Sequence, residues 1–416
     1  MNTVEQRAAY SLADPAMQAD RYACYAAAHA RCPVFRDPQL GFFVINDYSD
    51  VREILGNPKD FSSVVDRTRV MQGANAQILR DVLSEGGGWV NAPALQRADP
   101  PQHNRSRKVV TRAFAAGQVR SIGPRITALA HELIDRFIDR GECDFINEFA
   151  LPLPGTIIAE LLGLDAAEWP RYKAWADNLF TYLVAVLTPD EMRKAAETEL
   201  EMQLFLAAAM EDRRVHPRDD LLTALVTTED GDQPLTMNEL QGVMHQLITG
   251  GYETVISALC HGMLQLIRFP EAMTELRADR SLMPAFINES LRFESPTQGL
   301  YRVATRDVEL SGVAIPAGSL LHIRYAAANR DPVQFPDPGQ FDLHRSNASS
   351  HVAFGAFIHS CVGQQLARSE LTVAFNTVFD RLDNIRLARP LPVPEHDYSV
   401  NYIPLKELRI AFDRAG

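Results

Sequence analysis

The chain has 416 residues, 46% hydrophobic and 23% charged, and 41 Lys and Arg against 53 Asp and Glu leave a formal charge of −12. That balance argues against bulk nucleic-acid binding, which needs a concentrated basic surface, and no run of about 18 apolar residues is present to span a membrane. Residues 1–20 lack a basic segment followed by an apolar core, so a cytoplasmic protein is expected.

No fixed-period repeat, low-complexity tract or Gly/Ser linker interrupts the sequence, and one continuous domain over 1–416 is expected. The first hundred residues read as mixed, with a short strand at Phe42-Phe43-Val44-Ile45. From 103 to 290 helical periodicity dominates. Thr236-Met237-Asn238-Glu239 is a T-x-x-E capping box, and the pattern then stays helical until Phe269-Pro270, which predicts a helix over about 237–268, roughly 48 Å long. Gly250 and Gly251 fall in its middle, where each costs close to 1 kcal/mol relative to alanine. They either make room for chemistry beside Glu253 and Thr254 or mark a helix–helix crossing. Residues 307–315 alternate about Ser311-Gly312, as a hairpin does. A mainly α protein with a smaller β-rich part is predicted.

Cys24, Cys32, Cys143, Cys260 and Cys361 are odd in number and far apart, which fits reduced thiols. Four of them have no chemistry nearby. Cys361 lies in His351-Val352-Ala353-Phe354-Gly355-Ala356-Phe357-Ile358-His359-Ser360-Cys361-Val362-Gly363, just before a helical pattern starting at Gln364. A sulfur at a helix N-terminus is favoured as thiolate, able to act as nucleophile or metal ligand. No Cys or His partners stand at zinc spacing.

This loop resembles the heme-binding loop of the cytochrome P450 family, F-x-x-G-x-H/R-x-C-x-G, with Phe357 where the family usually has glycine. Other family motifs follow in order over roughly residues 95 to 370. Gly250-Gly251-Tyr252-Glu253-Thr254 is similar to the oxygen-activating stretch, Glu289-Ser290-Leu291-Arg292 to the E-x-x-R motif, and Phe341-Asp342-Leu343-His344-Arg345 to the segment whose arginine closes that network; Asn329-Arg330-Asp331-Pro332 fits the same region. The resemblance implies the P450 fold, heme b as cofactor and Cys361 as the iron ligand, a thiolate that favours O–O cleavage. It further implies His103, Arg107, Arg302 and His351 as partners of the heme propionates, Phe354 as packing beside the thiolate, and Thr254 with Glu253 as the groups delivering protons to oxygen.

Gln246, one turn before Gly250, with Thr249, Gly250, Gln298, Leu300 and Tyr402, occupies family-like pocket positions. A buried amide at Gln246 would suit a substrate with a polar group. On the helix expected over 103–114, Arg105, Lys108 and Arg112 share a face opposite His103 and Arg107. That strip is either a solvated face or a dock for an acidic donor, a ferredoxin with its reductase, since the sequence carries no flavin or iron–sulfur motif. A monooxygenase acting on a small or medium-sized organic substrate is expected. The alternatives are peroxide-driven or redox-neutral heme-thiolate chemistry and a catalytically silent heme-binding module, which Phe357 keeps open. A phenylalanine there must strain its backbone, reshape the loop, or recover the cost by burying its ring.

Overall fold

The longest helix starts and stops where its end signals stand. In the computed structural model, which describes residues 10–14, 17, 20–65, 74–90, 94–115, 122–184, 187–230, 233–396 and 399–416, it runs Met237–Arg268. Thr236 Oγ1 accepts from the Glu239 amide at 3.3 Å while Glu239 Oε2 accepts from the Thr236 amide at 2.9 Å, which closes the capping box. Pro270 then opens a new helix, Pro270–Ala278, because its ring cannot extend the old one. Residues 1–9, part of the segment read for a targeting signal, lie outside the described residues. Among the described residues no helix is long and apolar enough to cross a membrane.

The described residues group into two compact units, and the long helix supplies residues to both. The first comprises residues 1–63, 126–150 and 254–416 and holds the larger sheets. Its five-stranded sheet runs in the order Val34–Arg36, Phe43–Ile45, Leu320–Ile323, Leu300–Ala304, Phe61–Ser62. The one parallel pair aligns Leu321 with Phe43, and the remaining neighbours are antiparallel. The strand predicted at 42–45 is thus present. Val51, Ile54 and Leu55 of the helix Tyr48–Gly56 pack with sheet residues Val34, Ile45, Leu321 and Ile323 and with Val352 in one buried cluster. The predicted hairpin pairs Val308–Leu310 with Val313–Ile315, and Ser311 and Gly312 both take positive φ, +46° and +75°, the geometry of a primed two-residue turn.

The second unit comprises residues 64–125 and 151–253 and is dominated by helices, among them Gln102–Ala115, Pro152–Leu161, Trp169–Val184 and Pro189–Val215. Gly251 answers half of the glycine question: a Cβ on it would come within 3.2 Å of Ile158, so here the long helix crosses Pro152–Leu161 closely. A Cβ on Gly250 would meet nothing within 4 Å. One glycine serves the crossing and the other borders open space.

In the first unit buried His261 pairs with half-buried His396. His261 Nδ1 lies 2.9 Å from the Ser257 carbonyl and must donate to it, so His261 Nε2 accepts from His396 Nε2 at 3.1 Å. Burial drives the pKa of both rings down, His396 to about 3; Arg21 and Arg268 push the same way and the Glu294 carboxylate opposes them. The fold therefore holds both neutral, and its stability is full above the ordinary histidine value of about 6.5. As pH falls below that value, each histidine held neutral costs up to about 1.4 kcal/mol per pH unit. Urea midpoints should drop between pH 7.5 and 5.5, and less steeply for His396→Gln; equal slopes would contradict the neutral pair.

Candidate functional site

In the first unit the cysteine loop is shaped mostly by its own backbone. Gly355 donates its amide to Val352 O at 2.8 Å and takes φ +66°, and the Cys361 amide donates to Phe354 O at 2.8 Å. Gly355 is required there, since a Cβ would sit 3.1 Å from the His359 carbonyl. These bonds leave Cys361 exposed just before the helix Gln364–Arg381, with Gly363 as its N-cap. Phe354 lies between the His351 ring, 5.8 Å away, and the Arg368 guanidinium, 5.1 Å from its centroid. Phe357 takes φ +55°, so of the three outcomes open to it the chain accepts the left-handed backbone.

His351 is buried, its Nδ1 accepts from the Ala353 amide at 3.2 Å, and its Nε2 has no partner among the described residues. Nε2 therefore carries the proton and finds no acceptor among the described residues. Burial, then Arg368 and Arg292, lowers its pKa to about 3, so the ring stays neutral until an anion arrives. A buried donor with no acceptor, on the same loop as an exposed sulfur, fits the acidic edge and iron of a heme. Arg302 is buried on the strand Leu300–Ala304, with Nη1 donating to Tyr301 O at 2.7 Å.

The E-x-x-R pair is no surface ion pair. Arg292 is fully buried and donates to both oxygens of Glu289 at 2.7 Å. Its other donors reach the carbonyls of Asn329, Pro338 and Gln340, and Arg345 adds a donor to Glu289 at 3.2 Å. Asn329 Oδ1 accepts from the Val352 amide at 2.7 Å, which ties this network to the root of the cysteine loop. Sequence reading paired Asn329 with this region but gave it no such role.

Three pocket candidates in the first unit and three polar candidates in the second have defined surroundings. Gln298 is fully buried, accepting from Tyr25 Oη and donating to Ser295 O, both at 2.7 Å, so its amide serves the core. Leu300 packs half-buried against the sheet cluster, and Tyr402 bridges Thr297 through its backbone. In the second unit, Gln246 accepts from the Gln96 amide at 2.8 Å and donates to Ala94 O, clamping the turn Leu95–Arg97 rather than offering its amide to a substrate. Thr249 donates to His245 O at 2.8 Å within its own helix. Arg105 is half-buried and pairs with Glu239 at 2.5 Å, whereas Lys108 and Arg112 are exposed.

Also in the second unit, His103 is buried and Arg107 half-buried on one side of the helix Gln102–Ala115. Glu253 is half-buried, and Lys173 Nζ holds its Oε1 at 2.7 Å and also reaches Asp177. Burial alone would lower the Lys173 pKa, but Glu253 and Asp177 more than offset it and the ammonium is held charged. Lys173 went unnoticed in the sequence, where nothing marks a lysine on another helix as the partner of Glu253.

Residues 176–395 match the family model for cytochrome P450. The chain is 35% identical to cyclomarin C epoxidase CymV of Salinispora arenicola over 91% of this chain and 93% of that protein. It is 36% identical to cytochrome P450 107B1 of Saccharopolyspora erythraea over 84% of each. Among solved structures, cytochrome P450 CYP109Q5 from Chondromyces apiculatus superposes with a TM-score of 0.83 at 29% identity, covering 97% of this chain and 98% of that one. With relatives of this identity along nearly its whole length, the chain belongs to the cytochrome P450 family, oxidoreductases that bind heme b.

Proposed function

We propose that the chain is a heme-thiolate monooxygenase that inserts one oxygen atom from O2 into a small or medium-sized organic substrate, with electrons from a separate ferredoxin and reductase. The observation that carries this reading is the exposed Cys361 sulfur on a loop fixed by the Gly355 and Cys361 amide bonds. Heme b, when bound, supplies the reduction and splitting of O2 and the transfer of one oxygen to carbon. Cys361 is assigned as its iron ligand, and His351, with its unpartnered Nε2, and Arg302 as donors to its carboxylates. The same donor role is proposed for His103 and Arg107 of the second unit. Phe354 shields the sulfur side of the loop.

Thr254 is assigned to hold a proton at Oγ1 where oxygen is reduced, and Glu253 to replenish it. The ion pairs from half-exposed Asp177 through Lys173 to Glu253 support a route for protons between the surface and Glu253. Lys108 and Arg112 on an acidic protein support an acidic electron donor. The five cysteines form no disulfide, as in a reducing cytoplasm. The epoxidase activity named for the Salinispora arenicola relative supports oxygen transfer to an organic substrate.

The test reconstitutes the holoenzyme with a ferredoxin, its reductase and reductant. Thr254→Ala should keep consuming reductant while product falls by about 10²-fold, the lower range for a lost proton-transfer group, and hydrogen peroxide accumulates in its place. Glu253→Gln should slow oxygen consumption itself. Product yield per reductant unchanged in both variants would rule out these roles.

A further inference from the structure

Phe357 departs from the family pattern, and its ring is not idle. Three residues one turn apart on the helix Tyr48–Gly56 face the cysteine loop. Tyr48 Oη donates to Ser350 O at 2.7 Å. The Arg52 guanidinium lies over the Phe357 ring, 4.5 Å from its centroid. At the end of that face Gly56 leaves the space the ring tip uses: a Cβ on Gly56 would sit 3.3 Å from Cε2 and Cζ of Phe357. The ring is half exposed, so the seat holds one face and one tip rather than enclosing it. On the other side of the same turn His359 Nε2 is 2.9 Å from Ser63 Oγ.

A left-handed phenylalanine that merely tolerated a lost glycine would need none of this. Its strain depends on the Cβ, whereas the seat is built for the ring beyond it. Cation–π contact with Arg52 and the close fit at Gly56 both act on that ring. We infer that Phe357 is a positioning residue: its ring plugs a seat formed by Arg52 and Gly56 and so fixes the turn that carries Cys361. This rests on the assignment of Cys361 as the iron ligand. The departure from glycine is thereby paired with a glycine elsewhere, at position 56.

Phe357→Ala separates strain from seating, because alanine keeps the Cβ and the positive φ but loses the ring. Heme transfer from the holoenzyme to excess apomyoglobin should run about two- to fivefold faster in Phe357→Ala, as expected for losing an exposed cation–π contact. The reduction potential should move positive, because a looser loop admits water and the reduced iron–thiolate unit carries the extra negative charge that water stabilises. Phe357→Tyr should restore both. Gly56→Leu should reproduce the alanine phenotype by filling the seat, and adding it to Phe357→Ala should change nothing further, since the two act on one contact. Wild-type release and potential in Phe357→Ala, or effects of the two substitutions that simply add, would overturn the inference. If the wild type lacks the thiolate carbonyl band, the ligand assignment falls instead. Amide exchange over 352–361 then decides the seat, with faster exchange in Phe357→Ala supporting it and equal exchange overturning it.

Discussion

Cys361→Ser is expected to abolish the red-shifted Soret band of the ferrous carbonyl complex and to lower turnover by more than about 100-fold, the loss that disturbing even an outer partner of a metal ligand can reach. The substitution is nearly isosteric, and the loop does not depend on the sulfur. Its shape comes from backbone bonds, Gly355 to Val352 and Cys361 to Phe354, together with the Asn329 link to Val352. Serine retains all of these, so a spectral change reports ligation and not collapse. A serine hydroxyl stays protonated near neutral pH and is a poor substitute for a thiolate. The measurement is a carbonyl difference spectrum with heme content determined in parallel. A histidine-type spectrum in the wild type would remove Cys361 from its assigned role.

Elements whose signals are local were legible from the sequence. The helix Met237–Arg268 could be bounded because Thr236, Glu239 and Pro270 act within a turn of its ends. The hairpin about Ser311 and Gly312 was legible for the same reason. The polar side chains were harder, because helical periodicity tells which face a residue takes but not what meets it. Gln246 finds the Gln96 amide 150 residues away, and Gln298 finds Tyr25 at a separation of 273. In both cases a distant backbone amide or hydroxyl, invisible to local sequence, engages the side-chain amide of a pocket candidate. Arg105 was placed correctly on its helix yet is neutralised by Glu239, the residue already occupied in the capping box. Tyr48, Arg52 and Gly56 carried no chemical signal at all, and only their shared face against the cysteine loop gives them a role.

Arg292→Lys is expected to destabilise the protein by about 3–5 kcal/mol, the cost of breaking a buried ion pair, and to yield mostly heme-free material. The conservative charge does not help. Arginine at 292 spreads its donors over two Glu289 oxygens and three carbonyls in directions fixed by a planar fork, whereas a lysine has three donors at one nitrogen. Several acceptors are then left buried with nothing to bind, each at a cost of about 1–3 kcal/mol. The consequence reaches the heme loop through Asn329, whose carbonyl takes an Arg292 donor while its side chain holds the Val352 amide. Arg345→Lys should cost less, because Arg345 makes one long contact with Glu289 and spends its remaining donors on the carbonyls of Pro336, Asp337 and Gln340, where water can substitute. Urea midpoints and the heme-to-protein ratio of both variants test the ranking. An Arg292→Lys protein with the wild-type midpoint and full heme would mean that the network is redundant, and that the cysteine loop keeps its shape without the link through Asn329.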